Sequence, residues 1–299
     1  MSLIKKIVNY YHQIGEINRK LGYIQESLGR VESRQMLSTQ IKSLQDAEYR
    51  VFSQWGEDGI IQYLIKNIKI SNQVFVEFGV ENYTESNTRF LLVNNNWSGL
   101  VMDGNKENID YIKRDRIYWA HNIKAEHAFI TRENINDLLI DNGLTGEIGL
   151  LSIDIDGNDY WVWEAIDVII PDIVVVEYNH RFGKERAVTI PYQEHFVRSV
   201  ANSSMIYYGA SLKALDILAK KKGYTFIGCN SAGNNAFFIK ENIRSANIKA
   251  ITVEEGFVQG KFRESSNENG QLIYLSLAEE LLLLENMPLV EIKNKKEGV

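Results

Sequence analysis

Val74-Phe75-Val76-Glu77 is the first of four short apolar segments in this chain that run directly into a carboxylate. The other three occupy residues 99–103, 150–156 and 173–177, and they end in Asp103, Asp156 and Glu177. Continuous apolar runs, separated by stretches long enough for helices, are typical of a parallel sheet covered on both faces. Ligands bind such sheets at the carboxyl ends of the strands, so the four acids predict one polar crevice.

Composition limits the class of protein. The chain has 299 residues, of which 44% are hydrophobic and 24% charged, enough for one large core and a small appendage. A net charge of -6 argues against nucleic acid as a partner. The single cysteine, Cys229, excludes a framework of disulfides within the chain. The sequence shows neither a signal peptide nor a transmembrane segment, and we expect a cytoplasmic protein.

The first 45 residues carry a heptad repeat. Apolar residues alternate by three and four positions, which is the spacing of a coiled-coil seam; they are Ile14, Ile17, Leu21, Ile24, Leu28 and Val31. We therefore expect a homo-oligomer that forms through an N-terminal helix. The alternatives are an amphipathic helix packed on its own domain and, less favoured because glutamates interrupt the polar face, a helix that touches a membrane surface.

The segment after the first apolar run has the composition of a ligand-binding loop. Glu77 and Gly79 end the strand, and a polar turn leads into the next helix. The dinucleotide pattern Gly-x-Gly-x-x-Gly is absent, and a carboxylate beside the loop would repel phosphate. Asp103 follows Glu77 at a separation suited to an acid that holds ribose hydroxyls. Together these residues predict an adenosyl ligand without phosphates.

Residues 75–79, 99–103 and 151–159 resemble the motifs of class I S-adenosylmethionine-dependent methyltransferases, and within them the FkbM type of bacterial polysaccharide biosynthesis. The resemblance covers about residues 52–240. It implies an α/β fold with a doubly wound, mostly parallel, Rossmann-like sheet of seven strands, whose last two strands are a hairpin at residues 224–229 and 235–239. We predict a coiled-coil arm at 1–45, the methyltransferase domain at 46–245, and a C-terminal extension at 246–299 whose helix packs on the domain or on a partner subunit.

The resemblance also implies which residues bind S-adenosylmethionine. Asp103 would hold the ribose. Asn122 would lie near the adenine, because it follows a third strand that we predict at residues 117–120. The remaining candidates, which would lie against the methionine half or beside it, are Glu77, Gly79, Asn82 and Asp154.

A metal site is predicted at the ends of the third and fourth apolar segments, residues 150–156 and 173–177. Asp156, Glu177 and Asn179 are hard oxygen ligands of the kind that Mg or Mn prefers, and they look like the ligand set of metal-dependent O-methyltransferases. His180 follows directly and is our candidate for the base that takes the acceptor proton. The alternative is that these residues cap loops and bind the methionine amine without a metal. Glu177 and Asn179 would point to opposite sides of a continuous strand, unless a turn begins at Tyr178.

The predicted function is transfer of a methyl group to a hydroxyl, or less favourably a phosphoryl oxygen, of a small-molecule or nucleotide-linked sugar. The acceptor implied by the resemblance is a precursor of a bacterial surface polysaccharide such as a capsule. Two alternatives stay open. One is a nicotinamide-dependent sugar oxidoreductase, and the other is a non-catalytic assembly protein that acts through its coiled coil.

Overall fold

The computed structural model describes residues 3–293, so the last six residues of the predicted C-terminal extension lie outside it. The strands are β1 Val74–Phe78, β2 Ser98–Asp103, β3 Ile123–His127, β4 Gly146–Ile153, β5 Ile169–Glu177, β6 Val188–Thr189, β7 Tyr224–Cys229, β8 Asn235–Lys240 and β9 Val290–Glu291. The helices are α1 Leu3–Gln35, α2 Glu57–Asn67, α3 Arg89–Asn95, α4 Lys106–Arg114, α5 Arg116–Ala120, α6 Ile135–Asp141, α7 Asp159–Ala165, α8 Arg198–Ala201, α9 Leu212–Lys221, α10 Val253–Gly256 and α11 Leu277–Leu284. None of these helices is both long enough and apolar enough to span a bilayer.

The central sheet confirms the predicted fold class. Across residues 3–293 it has seven strands in the order β3-β2-β1-β4-β5-β8-β7. The first five in sequence are parallel, and β8 runs antiparallel to both β5 and β7. The chain moves outward from β1 to β3 and then returns to β4, so the strand order reverses between β1 and β4. In open α/β sheets a ligand crevice forms at that reversal.

Alternation of side chains along the strands builds a core on each face of the sheet. On one face Val76, Leu151 and Val174 pack against α6, α7 and α9. On the other, Phe75 and Leu150 pack against α2, α3 and α4, as do their apolar neighbours. Both faces are therefore covered, which explains why the sequence of these strands is apolar throughout rather than alternating.

The prediction of a third strand at residues 117–120 is wrong. Residues 116–120 form helix α5, because the side chain of Asp115 accepts a hydrogen bond from the backbone N–H of Ile117 and caps a helical turn. The true third strand, β3, lies at the sheet edge, where Ile123 and Ala125 are buried and Lys124 is exposed. An edge strand that faces solvent on one side has half the apolar residues of a central strand, and its signal in the sequence is correspondingly weak.

Helix α1 packs against the domain through its C-terminal half. A Cβ on Gly29 would lie 2.5 Å from a methyl group of Val51 and 2.9 Å from the Phe90 ring, so the absence of a side chain permits this packing. Ser33 is buried, and its hydroxyl donates to the side chain of Gln62 on α2. The arm is thus attached to the domain by its last turns.

The C-terminal extension wraps back over the domain. Val253 of α10 belongs to the core on the face of α9, and β9 pairs antiparallel with β6. Between these elements the chain places Glu264 and Glu280 beside Arg181, which is fully buried. The Arg181 guanidinium donates to Glu264 Oε1 at 2.6 Å and to Glu280 Oε2 at 2.8 Å. This buried ion pair joins the extension to the loop that follows β5.

We predict that Arg181→Met lowers the free energy of unfolding by about 3–5 kcal/mol, because it leaves buried carboxylates without their counter-charge. Urea denaturation followed by circular dichroism measures this. The matched control is Lys220→Met, which removes an exposed partner of Asp216 and should cost less than about 0.5 kcal/mol. Equal losses for the two variants would contradict the assignment of Arg181 as the anchor of the extension.

Candidate functional site

A cavity of about 790 Å³ opens at the carboxyl ends of the parallel strands. It contains residues that follow β1, β2, β3 and β4, together with Glu177 at the end of β5. Of the predicted cofactor and metal residues, the cavity is lined by Glu77, Gly79, Asp103, Asp154, Asp156 and Glu177. The turn before α2 contributes Gln54 and Trp55.

Gly79 brings the β1 loop into direct contact with the β4 loop. Its φ is +69°, a conformation that L side chains rarely adopt, and a Cβ would lie 1.6 Å from the carbonyl oxygen of Asp154. Its N–H donates to the carbonyl of Met102 on β2. No side chain fits at this position, so the residue type follows from backbone packing before any ligand is considered.

Glu77 holds the loop that leads into α3. Its Oε1 accepts from the N–H of Asn87 at 2.8 Å, and its Oε2 accepts from Ser86 Oγ and from both the N–H and the hydroxyl of Thr88. Burial raises the pKa of Glu77, and these hydrogen bonds oppose that rise. The carboxylate is thus occupied by its own loop, and a contact from Glu77 to cofactor stays a prediction.

Asp103 is positioned by the backbone and retains free acceptor capacity. Its Oδ2 accepts from the N–H of Glu81 at 2.8 Å, while Oδ1 accepts from the N–H of Asn105 and the side chain of Asn108. A carboxylate oxygen has two lone pairs, and Oδ2 uses one of them here. Asp103 can therefore tie the β1 loop to β2 and still accept a hydroxyl from a ligand in the cavity.

The acidic loop after β4 is shaped by Asp159. The carboxylate of Asp159 accepts from the N–H groups of Ile155 and Gly157, each at 2.9 Å, and so closes the loop on itself. Burial raises the pKa of Asp159 to about 6. Asp156, in the middle of the loop, has a φ of +56°, a left-handed conformation that aspartate tolerates better than most residues. Asp159 thus positions the loop residues that line the cavity but does not line it itself.

Three carboxylates meet in the lining of the cavity. Asp154, Asp156 and Glu177 each offer an oxygen, and these oxygens lie within 4.8 Å of one another. Burial, followed by the charges of Asp156 and Asp159, raises the pKa of Asp154 well above its ordinary value. Burial and the charge of Asp154 do the same to Glu177. Glu177 Oε2 is buried and has no hydrogen-bond partner among residues 3–293. A bound cation or protons would neutralise the negative charge of this cluster.

Asn179 does not belong to the acidic cluster, so the predicted ligand set is wrong in this member. Its side-chain amide donates to the carbonyls of Ile206 and Tyr208, and its oxygen accepts from the N–H of Arg181. Strand β5 ends at Glu177, but the change of direction after it turns Asn179 into the protein interior. Asp154 takes the place that we had given to Asn179.

His180 does not line the cavity, which contradicts its predicted role as a base. Residues 259–262 of the C-terminal extension lie over its ring. The amide nitrogen of Gln259 is 2.5 Å from Nδ1, a Cβ on Gly260 would be 2.2 Å from Cδ2, and Phe262 packs edge-on at 5.4 Å. Burial, with the charge of Arg181, lowers the pKa of His180 to about 4. The imidazole is neutral and packed, with no route to an acceptor.

Two cofactor candidates lie outside the cavity lining. Asn122 directly precedes β3 and so lies at the amino end of that strand, not at its carboxyl end. The carbonyl of Asn122 accepts from the N–H of Gly99. Asn82 is half-buried, and its side chain accepts from the N–H and the hydroxyl of Thr84. At the carboxyl end of β3, where we expected Asn122, the cavity is lined by Phe129 and Ile130.

Sequence reasoning missed the residues that complete the cavity from distant parts of the chain. Arg198, at the start of α8, pairs with Asp156 at 2.5 Å and with Glu264 at 2.6 Å, and it stacks on the Tyr208 ring. The C-terminal extension adds Phe262 and Arg263 beside Glu264. The Trp55 and Phe262 rings lie 6.0 Å apart at the cavity wall. Contacts between residues this far apart in the chain carry no local sequence signal.

No protein-family model matches this chain, and no curated protein matches it. Among solved structures, the N-terminal domain of EvdMO1 with SAH bound is 11% identical, with a TM-score of 0.40, over 61% of this chain and 79% of that one. An O-methyltransferase family protein from Burkholderia thailandensis is 8% identical, with a TM-score of 0.38, over 63% and 58%. The pyocyanin biosynthetic protein PhzM is 10% identical, with a TM-score of 0.36, over 60% and 54%. The fold assignment rests on the strand order and register described above.

We predict that Gly79→Ala destabilises the protein far more than Gly143→Ala does. Both glycines have positive φ, which alone should cost about 1–2 kcal/mol, but Gly143 has no atom within 4 Å of a new Cβ. At Gly79 the carbonyl of Asp154 must also move. Urea unfolding compares the two variants directly, and equal midpoints would show that the two loops do not touch as described.

Proposed function

We propose that this protein is an S-adenosylmethionine-dependent O-methyltransferase. The proposal is carried by one observation: the Gly79 loop, Asp103 and the acidic cluster line the same cavity at the carboxyl ends of neighbouring strands. In this assignment Asp103 accepts the ribose hydroxyls, and Phe129 and Ile130 offer apolar surface to the adenine in place of Asn122. Asp154 and the Gly79 loop lie beside the methionine half.

The charge of the cavity favours this cofactor over a dinucleotide. Its acidic residues outnumber the two arginines, Arg198 and Arg263, and a pyrophosphate would meet carboxylates where it needs backbone N–H groups and a helix N-terminus. A sulfonium cation with an amino group is attracted by the same charges. Both the negative charge of the cavity and the missing glycines therefore argue against the oxidoreductase alternative. The cavity, with its buried acids, also argues against an assembly protein without a ligand.

Asp154, Asp156 and Glu177 fit a divalent cation such as Mg or Mn. Hard cations take carboxylate oxygens, and the unpartnered Glu177 Oε2 and the raised pKa values are the features that a bound cation would relieve. When bound, such an ion supplies Lewis-acid stabilisation of an acceptor oxygen. Arg198 already neutralises part of the charge of Asp156, which leaves Asp154 and Glu177 as the stronger ligands.

The chemistry proposed for the chain's own residues is orientation and proton transfer. The acceptor oxygen attacks the methyl carbon as the bond from that carbon to sulfur breaks, and the hydroxyl proton leaves to a base. In the absence of a metal, Glu177 replaces His180 as our candidate for that base, because it lines the cavity and because burial and the charge of Asp154 raise its pKa. Arg198, fixed by Glu264 and Tyr208, holds Asp156 in place.

The acceptor that we propose is a hydroxyl of a sugar, of the kind present in bacterial surface polysaccharide precursors. This rests on the resemblance to FkbM-type enzymes, together with the paired Trp55 and Phe262 rings at the cavity wall, since aromatic faces and carboxylates are common partners of sugar rings and their hydroxyls. A phosphoryl acceptor is less favoured by the acidic lining.

We predict that the protein binds S-adenosylhomocysteine in calorimetric titration and does not bind nicotinamide dinucleotide. Asp103→Asn should weaken this affinity roughly 10- to 150-fold, because hydrogen bonds to a charged acceptor contribute about 1.5–3 kcal/mol. Asp110→Asn, which alters an exposed acid on α4, is the control and should leave the affinity unchanged. Binding of the dinucleotide alone would overturn the proposed cofactor.

We predict that Mn²⁺ binds the acidic cluster more tightly as pH rises from about 5.5 to 8. Burial raises the pKa values of Asp154 and Glu177, so these carboxyls keep their protons to a higher pH than ordinary carboxyls, and the metal must displace more protons as the pH falls. Electron paramagnetic resonance of free Mn²⁺ measures the affinity. Glu177→Gln should weaken binding at least about tenfold, whereas Glu85→Gln, at the exposed rim beside Arg50, should not. Affinity independent of pH would count against this cluster as the site.

A further inference from the structure

Helix α1 uses one face to attach to its own domain. Tyr23 accepts from Arg116, the side chain of Gln25 donates to the carbonyl of Val51, and Gly29 and Ser33 pack against the domain. With 100° between successive residues, Gln25, Gly29 and Ser33 share one side of the helix. The domain therefore fixes which way α1 faces.

The apolar stripe of α1 lies on a different face. We call it the α1 seam; its members are Ile14, Ile17, Leu21, Ile24, Leu28 and Val31. All six are exposed, by 37% to 60%. The centre of the seam is roughly 130° round the helix axis from the attached face. The alternative that the stripe packs on its own domain is therefore wrong, and a partner could approach the seam without meeting that domain.

The first half of α1 projects away from the domain. Residues 5–21 are exposed, and a Cβ on Gly15 or Gly22 would have nothing within 4 Å. An isolated helix of this length is marginal in water, and glycines weaken it further. We therefore expect the stability of the helix in this segment to depend on packing of its apolar stripe against another chain.

We propose that the α1 seam forms a parallel coiled coil of three or four copies of this chain. Its 3-4 spacing is that of a self-complementary heptad seam, with Ile14, Leu21 and Leu28 at a and Ile17, Ile24 and Val31 at d. Leucine at a with β-branched residues at d favours three or four strands, whereas the reverse arrangement favours two.

The flanking positions are compatible with this assembly. In a parallel, in-register coil the g position of one helix faces the next e position of its neighbour. Lys20 then meets Gln25, and Ser27 meets Glu32, so no like charges are opposed. The proposal is independent of the proposed function, because it is tested by mass.

The first test is sedimentation equilibrium of the full-length protein. We expect a mass three or four times the 34.3 kDa of the chain. Leu21→Glu with Ile24→Glu should give monomers with an unchanged melting temperature of the globular domain. Leu282→Glu, at a 67% exposed leucine on α11, is the matched control and should keep the oligomer. A monomeric or dimeric wild-type protein overturns the proposal. If that monomer also sediments with anionic lipid vesicles, the seam is instead assigned to a membrane surface.

The second test exchanges the packing preference while keeping the seam apolar. A variant with Leu21→Ile, Leu28→Ile, Ile17→Leu, Ile24→Leu and Val31→Leu places β-branched residues at a and leucine at d, and it should sediment as a dimer. An unchanged mass would contradict the assigned seam.

Orientation is tested by Ile24→Cys. In a parallel coil this position meets its own copy, so mild oxidation should cross-link chains in pairs, whereas the wild-type protein, whose Cys229 is buried, should not cross-link. Absence of cross-linking in an oligomeric variant would overturn the parallel arrangement.

Discussion

The approach of Gly79 to the carbonyl of Asp154 is the contact on which the rest of the cavity depends. It joins the loops after β1 and β4, the two strands between which the sheet order reverses. Glu77 then holds the following turn, and Asp103 ties the same loop to β2 through the N–H of Glu81. A side chain at position 79 would separate these loops, and the acids on them would no longer share one space.

Electrostatics links the cavity to parts of the chain that are remote in sequence. Asp156 pairs with Arg198, Arg198 with Glu264, and Glu264 with Arg181, which is itself held by Glu280. The C-terminal extension is thus a structural component of the cavity rather than an accessory. The same extension buries His180, so a residue that could titrate near neutrality in water is neutral and packed here.

Much of the fold followed from local patterns. The four apolar segments correspond to β1, β2, β4 and β5, and the hairpin of β7 and β8 lies where the resemblance implied it. The error at β3 arose because an edge strand carries fewer apolar residues than the central strands. Of the candidate site, the residues at strand ends were found, since parallel strands place their carboxyl ends together whatever the details of packing. The roles predicted for Asn179 and His180 were wrong, because the directions of these side chains depend on how the chain turns after β5.

The sequence by itself determined where the buried strands lie along the chain, the acids at their ends and the heptad spacing of α1, because each is a local pattern read over a few residues. Only the tertiary structure decided that Asp154 rather than Asn179 joins Asp156 and Glu177, that Arg198 and the extension close the cavity, and that the α1 seam faces away from its own domain. These features depend on contacts between residues far apart in the chain, such as Arg181 with Glu280, which are 99 positions apart. No local pattern encodes them, because the free energy that selects each side-chain direction comes from burial and charge pairing in the folded chain.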